Sequence, residues 1–336
     1  MDQDCIKLTT FIRGHLTKVM ATGGALANLY DVGQIPASVL LRGANGTGLR
    51  QHFHSGSMPG SSDDVLTVAE TVAIGRRPEI ERELDQRVTK LGSGLLTLRQ
   101  ARLLSEEIDP VALRDGADEA TKLTIYFSRQ DVVFQVPAFE VICEVLHRRG
   151  MAGATALSGI DGTIGGLVQR QRSYSRNGAA PMMVIAIGSG AHLGLIIPEL
   201  GGLLRHPVMT LEQIRICKQD GRLLSLPETR PGTDAHGRPL WQKLAVYACE
   251  SAHPEGQALH RTMVRRLHDA GISGTTLRGR WGFHAEHVPH GGRHVPAITI
   301  VIDAPERIST AFTIIDELTG TRGLVTSETV TAVRAG

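Results

Sequence analysis

Much that would place a chain quickly is missing from these 336 residues. Only four cysteines occur, Cys5, Cys143, Cys217 and Cys249, far apart and without Cys-x-x-Cys spacing. That pattern leaves isolated reduced thiols, rather than disulfides or a cysteine metal site, as the expected state. No apolar run is long enough to span a bilayer, and the acidic start Met1-Asp2-Gln3-Asp4 is not followed by a signal-length apolar stretch. A cytoplasmic protein, neither secreted nor membrane-embedded, is the expectation. Basic residues form no block and the formal net charge is only +2, so nucleic acid and anionic membrane are not expected partners. A Gly-x-x-x-x-Gly-Lys-Ser/Thr string is absent, which leaves an ATPase P-loop unsupported. A Gly-x-Ser-x-Gly elbow is also absent and no acidic pair has a catalytic setting, so no catalytic residue is assigned and a non-enzyme is expected.

What is present is a pattern written three times. Lys122-Leu123-Thr124-Ile125-Tyr126-Phe127 reads as a strand and is followed at a distance by Gly153-Ala154-Thr155-Ala156-Leu157-Ser158-Gly159. The same pair occurs as Lys7-Leu8-Thr9-Thr10-Phe11 with Pro36 to Gly43, and as Lys243-Leu244-Ala245-Val246-Tyr247 with Gly274 to Gly279. Between the members lie helical patterns: Leu16 to Asp31, a helix starting at Pro137 with Phe139, Ile142, Val145 and Leu146 on one face, and Gln257 to Ala270. A long loop, a third strand and a second helix follow in each copy. The third strand of the middle copy, Met182 to Ile187, is apolar throughout, which implies burial on both faces. Each copy closes on an apolar-apolar-Thr step: Leu95-Leu96-Thr97, Val208-Met209-Thr210 and Leu324-Val325-Thr326.

The order strand, helix, strand, loop, strand, helix, strand predicts three tandem ferredoxin-like (βαββαβ) units, an α+β fold with sheets facing a common axis. Unit 1 is placed at 1–105, unit 2 at 121–217 and unit 3 at 241–336. The linkers are then 106–120 and 218–240, the second carrying Pro227, Pro231 and Pro239.

With Gly150 to Gly162 added to the middle copy, and Gly271 to Phe283 with Gly323-Leu324-Val325-Thr326 in the last, the chain resembles the domain of unknown function 190 family, a group of PII-like proteins. The first copy, with Leu41-Arg42-Gly43-Ala44-Asn45-Gly46 and Gly94-Leu95-Leu96-Thr97, is a more degenerate match. The resemblance implies a trimeric assembly, here a monomeric single-chain pseudo-trimer, with small effectors such as adenine nucleotides in clefts between neighbours. It also implies a signalling role exerted through the long loops on a transporter or enzyme.

On that reading the cleft is lined by the loop bases, Gly43, Gly46, Gly159, Gly162, Gly279 and Gly282. The turns after the second helices complete it, with Gly92, Gly94, Gly201, Gly202, Arg205, Gly320, Arg322 and Gly323. Glycines let backbone N–H groups approach a phosphate and arginines add charge-assisted bonds, but the same glycines also suit plain turns. A second constellation, His284-Ala285-Glu286-His287-Val288-Pro289-His290, offers His284, His287 and His290, with Glu286, as ligands for zinc or another transition metal. It supports the alternative of a metal-binding accessory protein or metal-dependent hydrolase, beside surface histidines with no metal at all.

Overall fold

In the computed structural model the described residues are 3–14, 34–47, 53–55, 65–74, 80, 94–104, 120–170, 180–205, 207–228, 231–249, 257–284 and 295–335. The N-terminal segment contributes strands β1 (Gln3–Gly14), β2 (Gln34–Thr47), β3 (Val65–Ile74) and β4 (Gly94–Leu104). The middle segment contributes β5 (Ala120–Ser128), helix α1 (Ala138–Arg148), β6 (Gly153–Ser158), β7 (Asp161–Ile164), β8 (Pro181–Ser189), α2 (Gly190–Leu203) and β9 (Val208–Gln219). From the C-terminal segment come β10 (Pro239–Cys249), α3 (Leu259–Asp269), β11 (Gly274–Arg278), β12 (Trp281–His284), β13 (Pro296–Asp303), α4 (Pro305–Thr319) and β14 (Leu324–Ala335). The helix expected over Leu16 to Asp31 and the second helix expected of the first copy lie outside the described residues, apart from Ile80.

Local chemistry accounts for the helices. Pro137 is the N-cap of α1 and Pro305 opens α4, where a missing N–H costs nothing. Gly150 and Gly320, with φ of 76° and 53°, follow the last turns of α1 and α4 at positive φ, which glycine adopts without a Cβ penalty.

The expected three ferredoxin-like units of a pseudo-trimer are not what the strands build. Apart from one two-stranded ribbon, every described strand belongs to a single 18-stranded, antiparallel sheet. Hydrogen bonding runs from β1 to β3, β2, β11, β13, β10, β14 and β4, and then returns to β1, so this part of the sheet closes into a barrel. The reason is edge pairing: a strand edge left open would expose a row of N–H and C=O groups, and closure removes it. Faces were expected to meet; edges meet as well.

The terminal strands show this directly. The end of β4 pairs with the start of β9, Leu104 opposite Met209, and the end of β9 pairs with the start of β14, Gln219 opposite Leu324. The end of β14 pairs with the start of β4, Ala335 opposite Gly94. Each terminal strand therefore belongs half to its own segment and half to the next.

Alternation along the strands divides the core. Met182, Val184 and Ala186 of β8 face α1 and α2, against Phe139, Ile142, Leu146, Leu193, Ile197 and Leu200. Met183, Ile185 and Ile187 face the opposite way into an interior shared with Phe11, Tyr126, Tyr247, Ile298, Ile300 and Leu324. That double burial explains the unbroken apolar run of this strand. Helices α3 and α4 cover the outer face of the C-terminal segment through Met263, Leu267, Ile308, Phe312 and Ile315.

Strand crossings between segments require glycine. A Cβ on Gly282 would stand 2.3 Å from the Ala154 carbonyl oxygen and 3.1 Å from the Thr155 Cα, both backbone atoms that cannot rotate aside. Gly282→Ala is expected to lower stability by about 1–3 kcal/mol, the usual range for overpacking, read as an earlier midpoint in urea. A midpoint equal to that of the parent protein contradicts this crossing.

Candidate functional site

Three strands begin alike, and alternation turns their lysines inward. Lys7, Lys122 and Lys243 are all buried, and each stands opposite one residue of its own segment's terminal strand: Arg99, Glu212 and Glu328 respectively. Two of these cross-strand pairs are opposite in charge, and the third sets Lys7 against Arg99. Like charges directly opposite destabilise a sheet, so the N-terminal segment needs another carboxylate. Glu70 of β3 supplies it, 3.0 Å from Lys7 Nζ, and also accepts a hydrogen bond from the Tyr126 hydroxyl.

Where the terminal strands cross, the pairs become one network. Lys7 Nζ lies 2.7 Å from Glu212 and donates to the Thr124 hydroxyl at 3.1 Å. Lys122 Nζ lies 2.8 Å from Glu328 and 3.1 Å from Glu212, while Lys243 is 3.8 Å from Glu328. Arg99 sits between two carboxylates, 3.4 Å from Glu212 and 3.3 Å from Glu328. Its remaining N–H groups donate to the carbonyls of Thr329, at 3.2 Å, and Gln213. Four cations thus face three carboxylates, drawn from all three segments.

Burial and pairing pull in opposite directions on Glu212, Glu328, Lys122 and Lys7. Burial would raise the Glu212 carboxyl, but Lys122 and Lys7 override it and hold the group at about 2. Glu328 is held still lower by Lys122, Lys243 and Arg99 against the same burial cost. For Lys122, burial wins and brings the ammonium to about 8, because Lys243 and Lys7 offset part of the help from Glu212 and Glu328. Lys7 goes the other way despite burial, raised by Glu212 and Glu70.

The network reaches solvent through Arg99, whose side chain is 16% exposed. There a groove of about 680 Å³ opens, lined by Arg99 of β4, Ala120 of β5, Gln213 to Ile216 of β9, Gln242 of β10 and Ser327 to Thr329 of β14. Leu224 and Glu228, from the segment after β9, form one wall. Gln242 is fixed at the floor, donating to the Thr329 hydroxyl at 2.7 Å and accepting from Ser327 at 2.8 Å. The exposed Arg215 uses one N–H on the Leu226 carbonyl, which leaves further donors of its fork for a ligand. Chemically the groove offers guanidinium, amide, hydroxyl and carboxylate groups together.

The loop-base glycines are occupied differently from the phosphate cradle expected of them. Gly43 and Gly46 pair with Leu277 and Thr275, Gly162 with Val39, and Gly282 with Thr155, all at crossings between segments. Gly159 and Gly279 donate their N–H groups to Pro181 and Pro296. Close backbone approach accounts for glycine at these places. Gly201 and Gly202 lie exposed in α2, with open space where a side chain would be, and Arg205 is exposed just beyond it. Gly94 begins β4 beside the Phe11 carbonyl, Gly320 caps α4, and Gly323, at φ 82°, packs on the Tyr247 carbonyl. Arg322 is exposed, its N–H bonded to Thr319, and Gly92 lies outside the described residues.

Of the expected metal ligands, only His284 is described. It is buried, with Nε2 3.1 Å from the Thr155 hydroxyl. Glu286, His287 and His290 lie outside the described residues, and among the described ones no three His, Cys, Asp or Glu side chains gather as a metal set. The lysine-centred network and the groove were not foreseen. Their signal was present in the aligned closing steps, where Thr97, Thr210 and Thr326 are each followed two residues later by Arg99, Glu212 and Glu328.

The architecture is that of an antiparallel barrel with helices outside and a buried ionic network within. The DUF190 family model, described as an uncharacterized ACR, matches residues 120–216 and 241–332, more than half of the chain. The chain belongs to this family, with two matched copies. No curated protein matches it. Among solved structures, aspartate kinase from Synechocystis is similar over 97% of this chain and 44% of its own, at 11% identity and a TM-score of 0.23. This chain spans less than half of that structure's length, and so slight a likeness bears on neither fold nor activity.

Two measurements check the network. Glu70→Gln leaves Lys7 facing Arg99 without its own carboxylate and is expected to cost about 3–5 kcal/mol. Adding Arg99→Glu balances three lysines against three carboxylates and recovers part of that loss; a double variant as unstable as the sum of the two singles contradicts the pairing. The pH profile has two limbs. Glu212 is depressed from 4.5, so its contribution is full above pH 4.5 and is lost as the pH falls toward 2. Lys122 is depressed from 10.5, so between about pH 8 and 10.5 the unfolded chain holds a proton that the folded chain has released, and this group makes stability rise with pH. Urea midpoints across pH, compared between the parent and Lys122→Met, isolate the second limb.

Proposed function

We propose that the chain is a non-enzymatic regulatory protein that binds a small anionic effector, an adenine nucleotide being the leading class, in the groove at the crossing of the terminal strands. The supporting observation is the composition of that groove: its walls come from β4, β9 and β14, one strand from each segment. A ligand held there touches all three segments at once, so its binding energy is coupled to how they are joined. Arg215 suits a phosphate or carboxylate, since a planar guanidinium matches both. Gln213, Gln242, Thr329 and Glu228 suit the hydroxyl and amino groups of a ribose and a base.

The family supports a regulatory reading only broadly, because it is described as uncharacterized. Relay to a protein partner, a transporter or an enzyme, falls on this reading to the chain between β7 and β8 and between β12 and β13, where the sequence is long and polar. The exposed side chains of Phe134 and Leu167 add apolar surface for such a contact.

Titration of the full chain with ATP, ADP, AMP and cyclic AMP, followed by melting temperature, tests the effector reading. A saturating ligand at a hundredfold its Kd contributes about 2.7 kcal/mol and raises the melting temperature accordingly. Arg215→Ala and Gln213→Ala, both at exposed positions, are expected to reduce that rise without lowering the ligand-free value. No rise with any nucleotide, or an equal rise in both variants, contradicts it.

A further inference from the structure

The charges around the groove limit what it can hold. Among the described residues its lining carries four charged side chains, Arg99, Arg215, Glu228 and Glu328, two of each sign. They are not equally available. Glu328 is taken up by Lys122, at 2.8 Å, and by Arg99, at 3.3 Å. Arg99 is itself shared between Glu328 and Glu212, and it donates further to the carbonyls of Thr329 and Gln213. A ligand therefore meets one cation with donors to spare. Arg215 is exposed, gives one N–H to the Leu226 carbonyl at 3.2 Å, and has no carboxylate partner among the described residues.

Glu228 stands against it. The residue is half-buried in the wall formed by the segment after β9, together with Leu224. That wall is tied to β9 just beyond Arg215. The N–H groups of Leu224 and Ser225 donate to the Cys217 carbonyl at 2.8 and 3.2 Å, and the Ser225 hydroxyl donates to the Ile216 carbonyl at 2.8 Å. A group with one negative charge is answered by Arg215 alone. Each further negative charge finds no second free cation and faces the Glu228 carboxylate, in a cleft where reduced access of water strengthens the repulsion. The rest of the lining is neutral: Ile214, Ile216 and Leu224 are apolar, and Gln213, Gln242 and Thr329 bond uncharged polar groups.

Taking the groove as the effector site, we infer that it selects a ligand with a single negative charge, such as the phosphodiester of a cyclic nucleotide, and that Glu228 excludes polyphosphates. A terminal phosphomonoester already carries about 1.5–2 negative charges at pH 7, and each added phosphate increases the mismatch. Selection then comes from a repulsive group as much as from an attractive one.

The test is calorimetric titration of the full chain with adenosine, cyclic AMP, AMP, ADP and ATP, at neutral pH, fixed ionic strength and without magnesium. Affinity is expected to be highest for cyclic AMP, lower for adenosine, which brings no charge to Arg215, and to fall from AMP to ATP. ATP is expected to bind about tenfold or more below cyclic AMP. Glu228→Gln removes the repelling charge and is expected to narrow that gap about tenfold, while Glu228→Asp keeps the charge and the gap. Gln213→Lys, at an exposed position of the same groove, adds a cation and narrows the gap with Glu228 intact, so the test does not depend on the folding of one variant. ATP binding as tightly as cyclic AMP in the parent, a gap unchanged in both Glu228→Gln and Gln213→Lys, or a gap narrowed equally by Glu228→Asp and Glu228→Gln overturns the inference and leaves the groove as the effector site. Absence of binding by all five compounds overturns both.

Discussion

Burying an ammonium group away from water is costly unless a carboxylate comes with it, and the chain does this three times at one place. Two of the carboxylates that neutralise Lys7, Lys122 and Lys243 stand on terminal strands that cross from one segment to the next, so Lys7 and Lys122 are each paired in part by a neighbouring segment. Lys7 depends on Glu212 of the middle segment, and Lys122 depends on Glu328 of the C-terminal one. The ionic network therefore fixes which strand edge meets which. Edge pairing, barrel closure and the shared interior around Tyr126 and Tyr247 all follow from that placement.

The N-terminal segment departs from the other two in a compensated way. Arg99 stands where the others place glutamate, and Glu70 returns a carboxylate from the neighbouring strand. The exchange puts a guanidinium at the rim of the network, where the groove opens. A position that would be one of three equivalent acids becomes part of the polar lining of that groove.

Much of the local structure was legible in the sequence. Pro137 and Pro305 marked helix starts because proline suits a first turn, and the apolar run Met182 to Ile187 marked a strand buried on both faces. The arrangement of the sheet was less legible, because edge partners such as Leu104 and Met209 lie far apart in the chain and no local pattern names them. Gly162 and Gly282 illustrate a second ambiguity. Glycine permits close approach by a phosphate or by another strand, and the sequence looks the same in both cases; here the Ser38 and Ala154 carbonyls occupy that space. Charges inside strands, such as Glu212, were passed over because alternation ordinarily turns such residues to water.

The central claim is that an anionic effector bound where the terminal strands cross is felt by all three segments. Hydrogen exchange of the full chain with and without saturating AMP tests it most directly, because protection reports the opening of individual strands. The account predicts slower exchange at residues 213–216 of β9 and 327–329 of β14 together, with an accompanying effect at 99–101 of β4. Protection confined to one segment would contradict it.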